Sequence, residues 1–585
     1  MSDAGQVAEL VRVRTPEVLR LLHLLIDPRQ TSAKGIVMHR FIFLVLLVAL
    51  AAPATALAAQ NTRGKKAAAK ADRSKQINRG DLTGNMQLLN LWGERPQAMQ
   101  RLYEAAYKIL AAKPDTTFAD LARDATVQRL CAEAGVTHFG GPMLGAVRPD
   151  GAAVWLRTLR PAKVAVRVTV DGQEKTFGPV ESTGQSDLSA VVEITGLKAD
   201  TRYPYRVLVD GQPVNTPATG TLVTSPAAGP AKARIAFGSC FHRWGLGHEQ
   251  QAAALCQREP TALMVYGDIA VQDRDNHLGL HRADYLLRDF HPAWQRIAAS
   301  VPVYATWDDH DYFNNDKWGL PKGYTEKDRQ GVWEVFRYAW NNPSYGFNDE
   351  RRGVFLRTRV GPCDVIMVDH RYFRTARASD SDPSGNFLGP QQMQWLERQL
   401  LDCQGPFVIL SCGTMWSDYV SNGKDSWGKY DPKGREQIFR LIEKHRIPGV
   451  LLTSGDRHGA RVFRIPRPSG YNFYEFEPAS LGGRGDGPPA VISKCEAQLF
   501  GTAGKYAFGE FSFDATLPDP QVVFRLVQET GEVLYELKLT RSQLTPPGKE
   551  TGAEPCHRSE LPQSASLTSG TADALWQRAQ RSARG

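Results

Sequence analysis

Several common signatures are missing from this sequence of 585 residues. Its eight cysteines include no CxxC pair, which argues against a structural zinc site. No GxGxxG or GxxxxGKS/T segment follows an apolar run, so neither common nucleotide-binding loop is predicted. The longest continuous apolar run, Phe41–Ala52, is shorter than the roughly 18 residues that a membrane-spanning helix needs. These absences indicate a globular protein. Any binding or catalytic site is then expected to be formed by side chains from several parts of the sequence.

The net charge of +9 suggests nucleic-acid binding at first sight, but most of it lies in one short stretch. Residues 61–80 contain seven Lys or Arg and one Asp, which gives +6. Such a charge run is typical of a solvated linker, which we predict for residues 59–80. Weak contact of this linker with an anionic surface stays open, whereas sequence-specific binding of nucleic acid is not expected.

The sequence around Met38 has the pattern of a secretory signal peptide. A basic segment, Met38–Arg40, precedes the apolar run, and a small-residue cleavage pattern ends at Ala58. We predict a Sec-type signal peptide over residues 38–58, because no twin-arginine pair precedes the apolar run. Residues 1–37 are then a mis-annotated upstream start, and the mature protein is periplasmic or secreted. An uncleaved membrane anchor is the alternative.

The rest of the chain divides into four parts by the spacing of its apolar residues. Residues 81–136 repeat them at intervals of three and four, which predicts helices, the last over Thr117–Gly135. Residues 137–226 alternate with a period of two, which predicts a small all-β sandwich of fibronectin or immunoglobulin type. Residues 233–540 alternate buried strands with amphipathic helices, which predicts an α/β domain. Residues 541–585 are rich in small and polar residues and are predicted to be a disordered tail.

Four polar segments of the α/β domain lie where predicted strands end. Each follows an apolar run, so carboxylates, a thiol, an amide and imidazoles gather at the ends of buried strands. Such a mixture of hard and borderline ligands is typical of a site for more than one metal ion. The segments are FGSC (Phe237–Cys240), YGDIAVQD (Tyr266–Asp273), WDDHDYFNN (Trp307–Asn315) and SGDRH (Ser454–His458).

The side chains of these segments indicate how metals are held. Asp268 follows a strand and a glycine, a position from which its two oxygens can bridge two ions. Asp308, Asp309 and Asp311 would repel one another strongly at close range, and cations remove that penalty. Cys240 is a soft ligand that suits iron or zinc, whereas oxygen donors suit Ca²⁺, Mg²⁺ or Mn²⁺. Two close metals would serve phosphoryl transfer, because they activate water and stabilise the attacking and leaving oxygens.

In their order along the chain, GSC, GD, WDDHD with NN, and SGDRH resemble the PhoD-like alkaline phosphatase family of calcineurin-like metallophosphoesterases. Three further segments are similar to that family: Val368–Arg374, Leu388–Leu400 and Asp425–Phe439. The resemblance covers Phe139 to Thr540. It implies a four-layer α/β/β/α sandwich preceded by the small β domain, and hydrolysis of phosphomonoesters or phosphodiesters outside the cytoplasm.

The resemblance also implies roles for individual residues. His310 would face the phosphate, and Arg371 would bind it with its guanidinium unless it forms a buried ion pair beside Asp369. The calcium–iron members carry an iron-binding tyrosine three residues after the GD aspartate, and this chain carries Val271 there. The expected ions are Ca²⁺ with Fe³⁺, and Zn²⁺, Mn²⁺ or Mg²⁺ are the alternatives. The implied metal ligands are Cys240, Asp268, Asp309, Asn314, Asp456 and His458.

Three other functions stay open. One is a phospholipase- or nuclease-like phosphodiesterase, with which the basic linker is compatible. Another is a non-catalytic metal- or glycan-binding surface protein, which only Val271 favours. A purple acid phosphatase is the third, although DDHD and GDRH fit it less well than GNH and GHxH would. His242 and His248 are interpreted as loop histidines outside the metal site, and Cys495 and Cys556 as a candidate disulfide.

Overall fold

The computed structural model describes residues 80–215, 220–376, 385–417, 426–484 and 498–548. The predicted upstream start, the signal peptide and almost all of the basic linker lie outside these residues, as do Cys495 and Cys556. Among the described helices, none combines the length and the hydropathy that crossing a bilayer requires.

The N-terminal part is helical, as the spacing of apolar residues predicts. Helix α2 buries one face of residues spaced three and four apart, among them Leu102, Ala106 and Leu110. The predicted last helix is divided in two at Asp124, which has an extended backbone and whose side chain accepts a hydrogen bond from Val127 N. The division follows from the preference of aspartate for capping a helix N-terminus. The four helices are α1 (Leu82–Leu89), α2 (Gln97–Leu110), α3 (Phe118–Arg123) and α4 (Ala125–Glu133).

A small all-β domain follows, and it consists of two packed sheets. One sheet has the order β1-β2-β5, and the other has β4-β3-β6-β7 with β8 paired to β6. Val154 and Leu156 of β2 pack with Val164 and Val166 of β3 in one buried cluster. The intervening Trp155 packs instead in a cluster with residues of the α/β domain. The strands are β1 (His138–Arg148), β2 (Gly151–Thr158), β3 (Ala162–Val170), β4 (Gln173–Ser182), β5 (Ser189–Ile194), β6 (Arg202–Val209), β7 (Gln212–Pro213) and β8 (Gly220–Val223).

The α/β domain is built on two mixed sheets. The six-stranded sheet has the order β11-β10-β9-β19-β20-β21, and the seven-stranded sheet has the order β12-β13-β14-β15-β17-β16-β18. In the first sheet β9, β10 and β11 are parallel; in the second β13, β14, β15 and β17 are parallel. The strands are β9 (Lys232–Gly238), β10 (Ala262–Tyr266), β11 (Val303–Thr306), β12 (Leu356–Val360), β13 (Cys363–Met367), β14 (Phe407–Ser411), β15 (Val450–Thr453), β16 (Gly459–Pro466), β17 (Asn472–Ala479), β18 (Gln498–Thr502), β19 (Ala507–Asp514), β20 (Gln521–Gln528) and β21 (Val533–Thr540).

Alternate residues of the parallel strands face different layers. Met264 of β10 and Ile409 of β14 belong to the cluster between the sheets. Val265 packs against helices on the outside of the first sheet, and Leu410 packs against helices on the outside of the second. The four-layer α/β/β/α arrangement and the preceding all-β domain are therefore confirmed. The helices are α5 (His242–Gly245), α6 (Glu249–Gln257), α7 (Leu278–Asp289), α8 (Pro292–Ser300), α9 (Asp309–Tyr312), α10 (Glu326–Ala339), α11 (Gly389–Leu401), α12 (Trp427–Tyr430) and α13 (Pro432–His445).

The prediction of disorder from residue 541 onward is wrong at its boundary. Residues 541–548 are described, and Leu544 is fully buried within the cluster between the sheets. Gly449 N, just before β15, donates a hydrogen bond to Leu544 O at 2.9 Å. A single apolar side chain among polar residues is a weak signal in a sequence, which explains the error. Residues 549–585 lie outside the described residues.

A buried charge cluster joins the N-terminal helices to the α/β domain. The Asp284 carboxylate on α7 accepts hydrogen bonds from Arg274 at 2.6 and 2.7 Å and lies 3.4 Å from Arg243 Nη1. Asn85 of α1 donates to the same carboxylate at 3.1 Å. Gln272 N, in the loop after β10, donates to it at 3.2 Å. One carboxylate thus fixes α1 against a loop that carries predicted site residues.

Replacing Asp284 with alanine should destabilise the protein strongly. Two guanidinium groups would remain buried without their carboxylate, which typically costs about 3–5 kcal/mol. Chemical denaturation of Asp284→Ala measures this loss. The exposed pair Glu104–Lys108 is the matched control, and Glu104→Ala should cost less than about 0.5 kcal/mol. Equal losses in the two variants would contradict a structural role for the cluster.

Candidate metal centre

The predicted site residues lie at the carboxyl ends of four parallel strands. Cys240 follows β9 by two residues, and Asp268 follows β10 by two residues. Asp309 begins the short helix after β11, and Asp456 follows β15. Parallel strands end at the same edge of a sheet, and the two sheets pack face to face, so these ends meet in one place.

Two groups of donor atoms meet here, and Asp268 belongs to both. In each group one donor atom from every residue lies within 4.8 Å of the others. We call the first the thiolate–imidazole group: Cys240, His242, Asp268 and His458. We call the second the carboxylate group: Asp268, Asp308, Asp309 and Asp456. A third, smaller set joins His310 to Asp268 and Asp309. A shared carboxylate between a soft and a hard donor set is the arrangement that two bridged metal ions require.

Five of these residues have a left-handed backbone conformation, which residues other than glycine rarely adopt. Their φ values are 57° for Cys240, 41° for His242, 56° for Asp268, 71° for Asp456 and 38° for His458. Backbone hydrogen bonds hold part of this strain, because Cys240 N donates to Gly267 O at 3.1 Å and His242 N donates to Asp268 O at 2.7 Å. Such strain persists where the surrounding structure fixes it, and it clusters at functional sites.

Glycine permits the close approach of the loops. A Cβ added to Gly267 would lie 2.2 Å from the Asp308 Cβ, and one added to Gly455 would lie 2.3 Å from the Ser239 hydroxyl. The first contact brings the loop after β10 against the loop after β11. The second brings the loop after β15, in one sheet, against the loop after β9, in the other. The glycines of the GD pairs are therefore as necessary to the site as the aspartates.

The charges of the site favour a cation. Burial raises the pKa of Asp268 well above its usual value, and the neighbouring Asp309 and Asp308 raise it further. Burial also raises the pKa of the Cys240 thiol, with Asp268 adding to the effect. Among the described residues, Asp268 Oδ1 and Asp308 Oδ2 are buried and accept no hydrogen bond. Orphaned buried carboxylate oxygens are the expected mark of a metal site, so the residues fit the implied ions.

Arg371 was expected either to bind phosphate or to form a buried ion pair beside Asp369. It forms a buried ion pair, but its partner is Asp308. The guanidinium is fully buried, its Nε donates to Asp308 Oδ1, and its Nη2 lies 3.7 Å from Asp309 Oδ1. His370 Nε2 lies 2.9 Å from the same Asp308 oxygen. The expected partner, Asp369, instead accepts the backbone N–H of Arg371 at 2.9 Å. Contact of Arg371 with a substrate phosphate stays a prediction.

His310 lies at the edge of the donor groups, beside Asp273. Its Nδ1 is 2.6 Å from Asp273 Oδ1. Burial lowers the pKa of His310, but the carboxylates of Asp268, Asp309 and Asp273 outweigh that effect and hold it well above its usual value. The Asp273 side chain is 31% exposed, so the site reaches solvent on this side. The histidine predicted to face a phosphate thus has a raised pKa and lies close to the opening.

Asn314 and Val271 differ from the other predicted positions. Asn314 Nδ2 donates to both oxygens of Asp275 at 3.2 Å, and its Oδ1 accepts from Asn315 N at 2.8 Å. Its role as a metal ligand stays a prediction. Val271 is buried in the apolar cluster outside the first sheet and offers no donor from its side chain.

Sequence reasoning missed two residues that lie among the donors. His242 was interpreted as a loop histidine, yet it is fully buried in the thiolate–imidazole group. A signal was present, because Cys240-x-His242 repeats the spacing of Asp456-x-His458 after another strand. Asp308 was noted for its charge but not predicted as a ligand. No local feature separates it from Asp309, since both directly follow the same strand end.

Comparison with known proteins now decides the family. The model of the PhoD-like phosphatase family matches residues 255–538. Over these residues the chain is a PhoD-like phosphatase. Residues 138–227, the all-β domain preceding the PhoD-like core, match a domain of unknown function, DUF7800.

Individual proteins share part of the sequence or the fold. Alkaline phosphatase D of Bacillus subtilis (strain 168) is 24% identical over 220 residues, which are 33% of this chain and 36% of that protein. The chain therefore aligns with about a third of its curated relative. A solved structure of PhoD shares the fold with a TM-score of 0.56 at 16% identity, covering 68% of this chain and 92% of the other. A purple acid phosphatase from yellow lupin (Lupinus luteus) seeds has a TM-score of 0.50 at 13% identity, with 68% and 74% covered.

Asp268→Asn should reduce metal binding at both donor groups, because its carboxylate is the one they share. Cys240→Ser should weaken binding at the thiolate–imidazole group alone, and Asp309→Asn at the carboxylate group alone. Metal content per chain, measured by plasma mass spectrometry after dialysis, tests this order. The exposed Asp402→Asn is the control and should keep its metals. Loss of a single metal from Asp268→Asn would contradict a bridging position.

Proposed function

We propose that this protein is an exported, metal-dependent phosphoester hydrolase of the alkaline phosphatase D type, acting on phosphomonoesters or phosphodiesters. The observation that carries the proposal is Asp268, a buried carboxylate shared by two donor groups in a chain of the PhoD-like family. Export to the periplasm or the medium is proposed from the signal-peptide pattern at residues 38–58.

Calcium with iron is the metal pair that the family resemblance supports, with zinc, manganese or magnesium as alternatives. The carboxylate group presents oxygen donors, which suit Ca²⁺, Mg²⁺ or Mn²⁺. The thiolate–imidazole group suits iron or zinc. When bound, such ions polarise the phosphoester oxygens and lower the pKa of a coordinated water.

Protein side chains around these ions would bind the phosphate and protonate the leaving group. The carboxylates of Asp268, Asp309 and Asp273 raise the pKa of His310, which favours a protonated ring that can donate a hydrogen bond to a phosphate oxygen or a proton to a leaving group. His310 Nδ1 lies 2.6 Å from Asp273 Oδ1 and 2.7 Å from Gln272 Nε2, and these two contacts orient the ring. Arg371 holds Asp308 within the carboxylate group through its buried ion pair.

Hydrolysis of an aryl phosphate and of a bis-aryl phosphate tests the proposed activity. We expect turnover of at least one of them by the mature protein, complete loss with chelator, and recovery when metals are restored. The ratio of the two rates decides between the monoesterase and the diesterase. Salt dependence separates a polyanion-directed nuclease, whose binding weakens steeply with salt, from an enzyme for small esters. Full metal occupancy without any hydrolysis would instead support the non-catalytic alternative.

His310→Ala should lower kcat by about 10²–10⁴-fold, the usual contribution of a general acid. The loss should be larger for an alkyl phosphate than for a nitrophenyl phosphate, because the nitrophenolate leaves without needing a proton. Asp273→Asn should have the same pattern with a smaller loss, since Asp273 only orients the ring. Metal content is the control and should stay unchanged in both variants. An equal loss with both leaving groups would contradict proton donation by His310.

A further inference from the structure

His242 occupies the interior of the thiolate–imidazole group. Its Nε2 lies 3.3 Å from His458 Nε2 and 4.0 Å from Asp268 Oδ2. Its ring stacks on Trp244 at 4.7 Å between centroids, so one face is apolar. A histidine that only packs in a core would direct its second nitrogen to a partner of opposite hydrogen-bonding character. The side chains around His242 Nε2 are a thiol, a carboxylate and another imidazole, all of which are metal-binding groups.

Neighbouring hydrogen-bonding groups indicate which ring nitrogens of His242 and His458 carry a proton. The Gln272 amide nitrogen lies 2.7 Å from His310 Nδ1 and donates to Asp273 Oδ2 at 3.0 Å, so the amide oxygen faces His242 Nδ1 at 3.0 Å and accepts its proton. The Nε2 of His242 then carries a lone pair. Arg484 Nη1 lies 3.2 Å from His458 Nε2, and since arginine only donates, this nitrogen also presents a lone pair. The two unprotonated nitrogens lie 3.3 Å apart, and a bound metal ion would replace Arg484 as the partner of the His458 lone pair.

The separations between donors match those around one tetrahedral ion. Two imidazole nitrogens bound to one tetrahedral zinc at about 2.05 Å are about 3.3–3.4 Å apart. A thiolate sulfur and a carboxylate oxygen on the same ion are about 3.6 Å apart. The observed distances are 3.3 Å between the imidazole nitrogens and 3.6 Å between Cys240 Sγ and Asp268 Oδ2. The distance of 4.0 Å between His242 Nε2 and Asp268 Oδ2 is longer than the ideal separation.

We propose that His242 is a metal ligand, and that the thiolate–imidazole group binds a divalent ion such as Zn²⁺ or Fe²⁺ through one thiolate, two imidazoles and the shared carboxylate. This inference rests on the proposed metal-dependent function and specifies one of its two positions. A neutral imidazole adds no negative charge, so the four donors carry only the charges of Cys240 and Asp268. Gln272 is then a positioning residue, because its oxygen fixes the tautomer of the His242 ring.

X-ray absorption spectroscopy at the zinc edge tests the proposal. The protein is loaded with one equivalent of Zn²⁺ in excess Ca²⁺, which occupies the carboxylate group. The wild type should show one sulfur and two imidazole ligands. His242→Ala and His458→Ala should each lose one imidazole and bind Zn²⁺ at least about tenfold more weakly in competition with a chromophoric chelator. Gln272→Ala should keep both imidazoles but weaken binding by about 10–100-fold.

His445→Ala is the matched control, since His445 is an exposed histidine at the end of α13 and should change neither measurement. A wild-type spectrum with a single imidazole, or unchanged zinc binding in a folded His242→Ala variant, would overturn the proposal and leave the proposed function intact. Preference of this position for Fe³⁺ over Zn²⁺ would overturn the divalent assignment. A wild type that binds no metal would overturn both the inference and the proposed function.

Discussion

The mutual repulsion of buried negative groups governs this structure. Asp268, Asp308, Asp309 and Asp456 approach one another within one pocket, and the Cys240 thiol lies against Asp268. Uncompensated charges in a protein interior cost several kcal/mol each, so the folded chain must offset them. Arg371 and His370 contact Asp308, and Arg371 lies 3.7 Å from Asp309. Cations in the two donor groups would balance the remaining charge, which is why the pocket is more consistent with a metal centre than with an ordinary ion-pair network.

The surrounding structure holds the donors in this unfavourable arrangement. The buried Asp311 accepts the backbone N–H of Ile269 at 3.2 Å and thereby holds the loop after β10. Glu475 on β17 accepts the N–H groups of Trp416 and Ser417 at 2.8 Å. The Asp284 cluster holds the same loop from the N-terminal side through Gln272 N. Strained left-handed residues can persist in these loops because each loop is fixed from more than one direction.

Much of the fold and most of the donors could be predicted from the sequence, because both depend on local patterns. Apolar runs such as those of β9, β10 and β15 are unambiguous, and the residues directly after them must lie at the sheet edge. The role of His242 could not be predicted in the same way. Its ring enters the site because the backbone at Cys240 and His242 turns into the left-handed region, which depends on hydrogen bonds to residues 267 and 268.

Tertiary contacts also explain the other differences. Arg371 was expected beside Asp369, two residues away, but that carboxylate serves backbone N–H groups and the guanidinium reaches Asp308 from a different strand end. The predicted single helix breaks at Asp124 because the aspartate side chain caps the next helix instead of continuing the first one. The spacing of apolar residues does not reveal this preference. Sequence patterns therefore placed the residues at the edge, and long-range contacts decided which of them face the centre.

The charge of the pocket also constrains the order of events at the site. A phosphoester is itself an anion, so it would be repelled by the same carboxylates that attract cations. Two positive groups of the described residues are already engaged, because Arg371 is fully buried against Asp308 and Arg484 contacts His458. Among the described residues, His310 lies near the opening beside the partly exposed Asp273, and its raised pKa favours the protonated imidazole. Metal ions in the donor groups would offset this repulsion and so favour the approach of an anionic substrate, and the carboxylate of Asp268 belongs to both groups that would hold them.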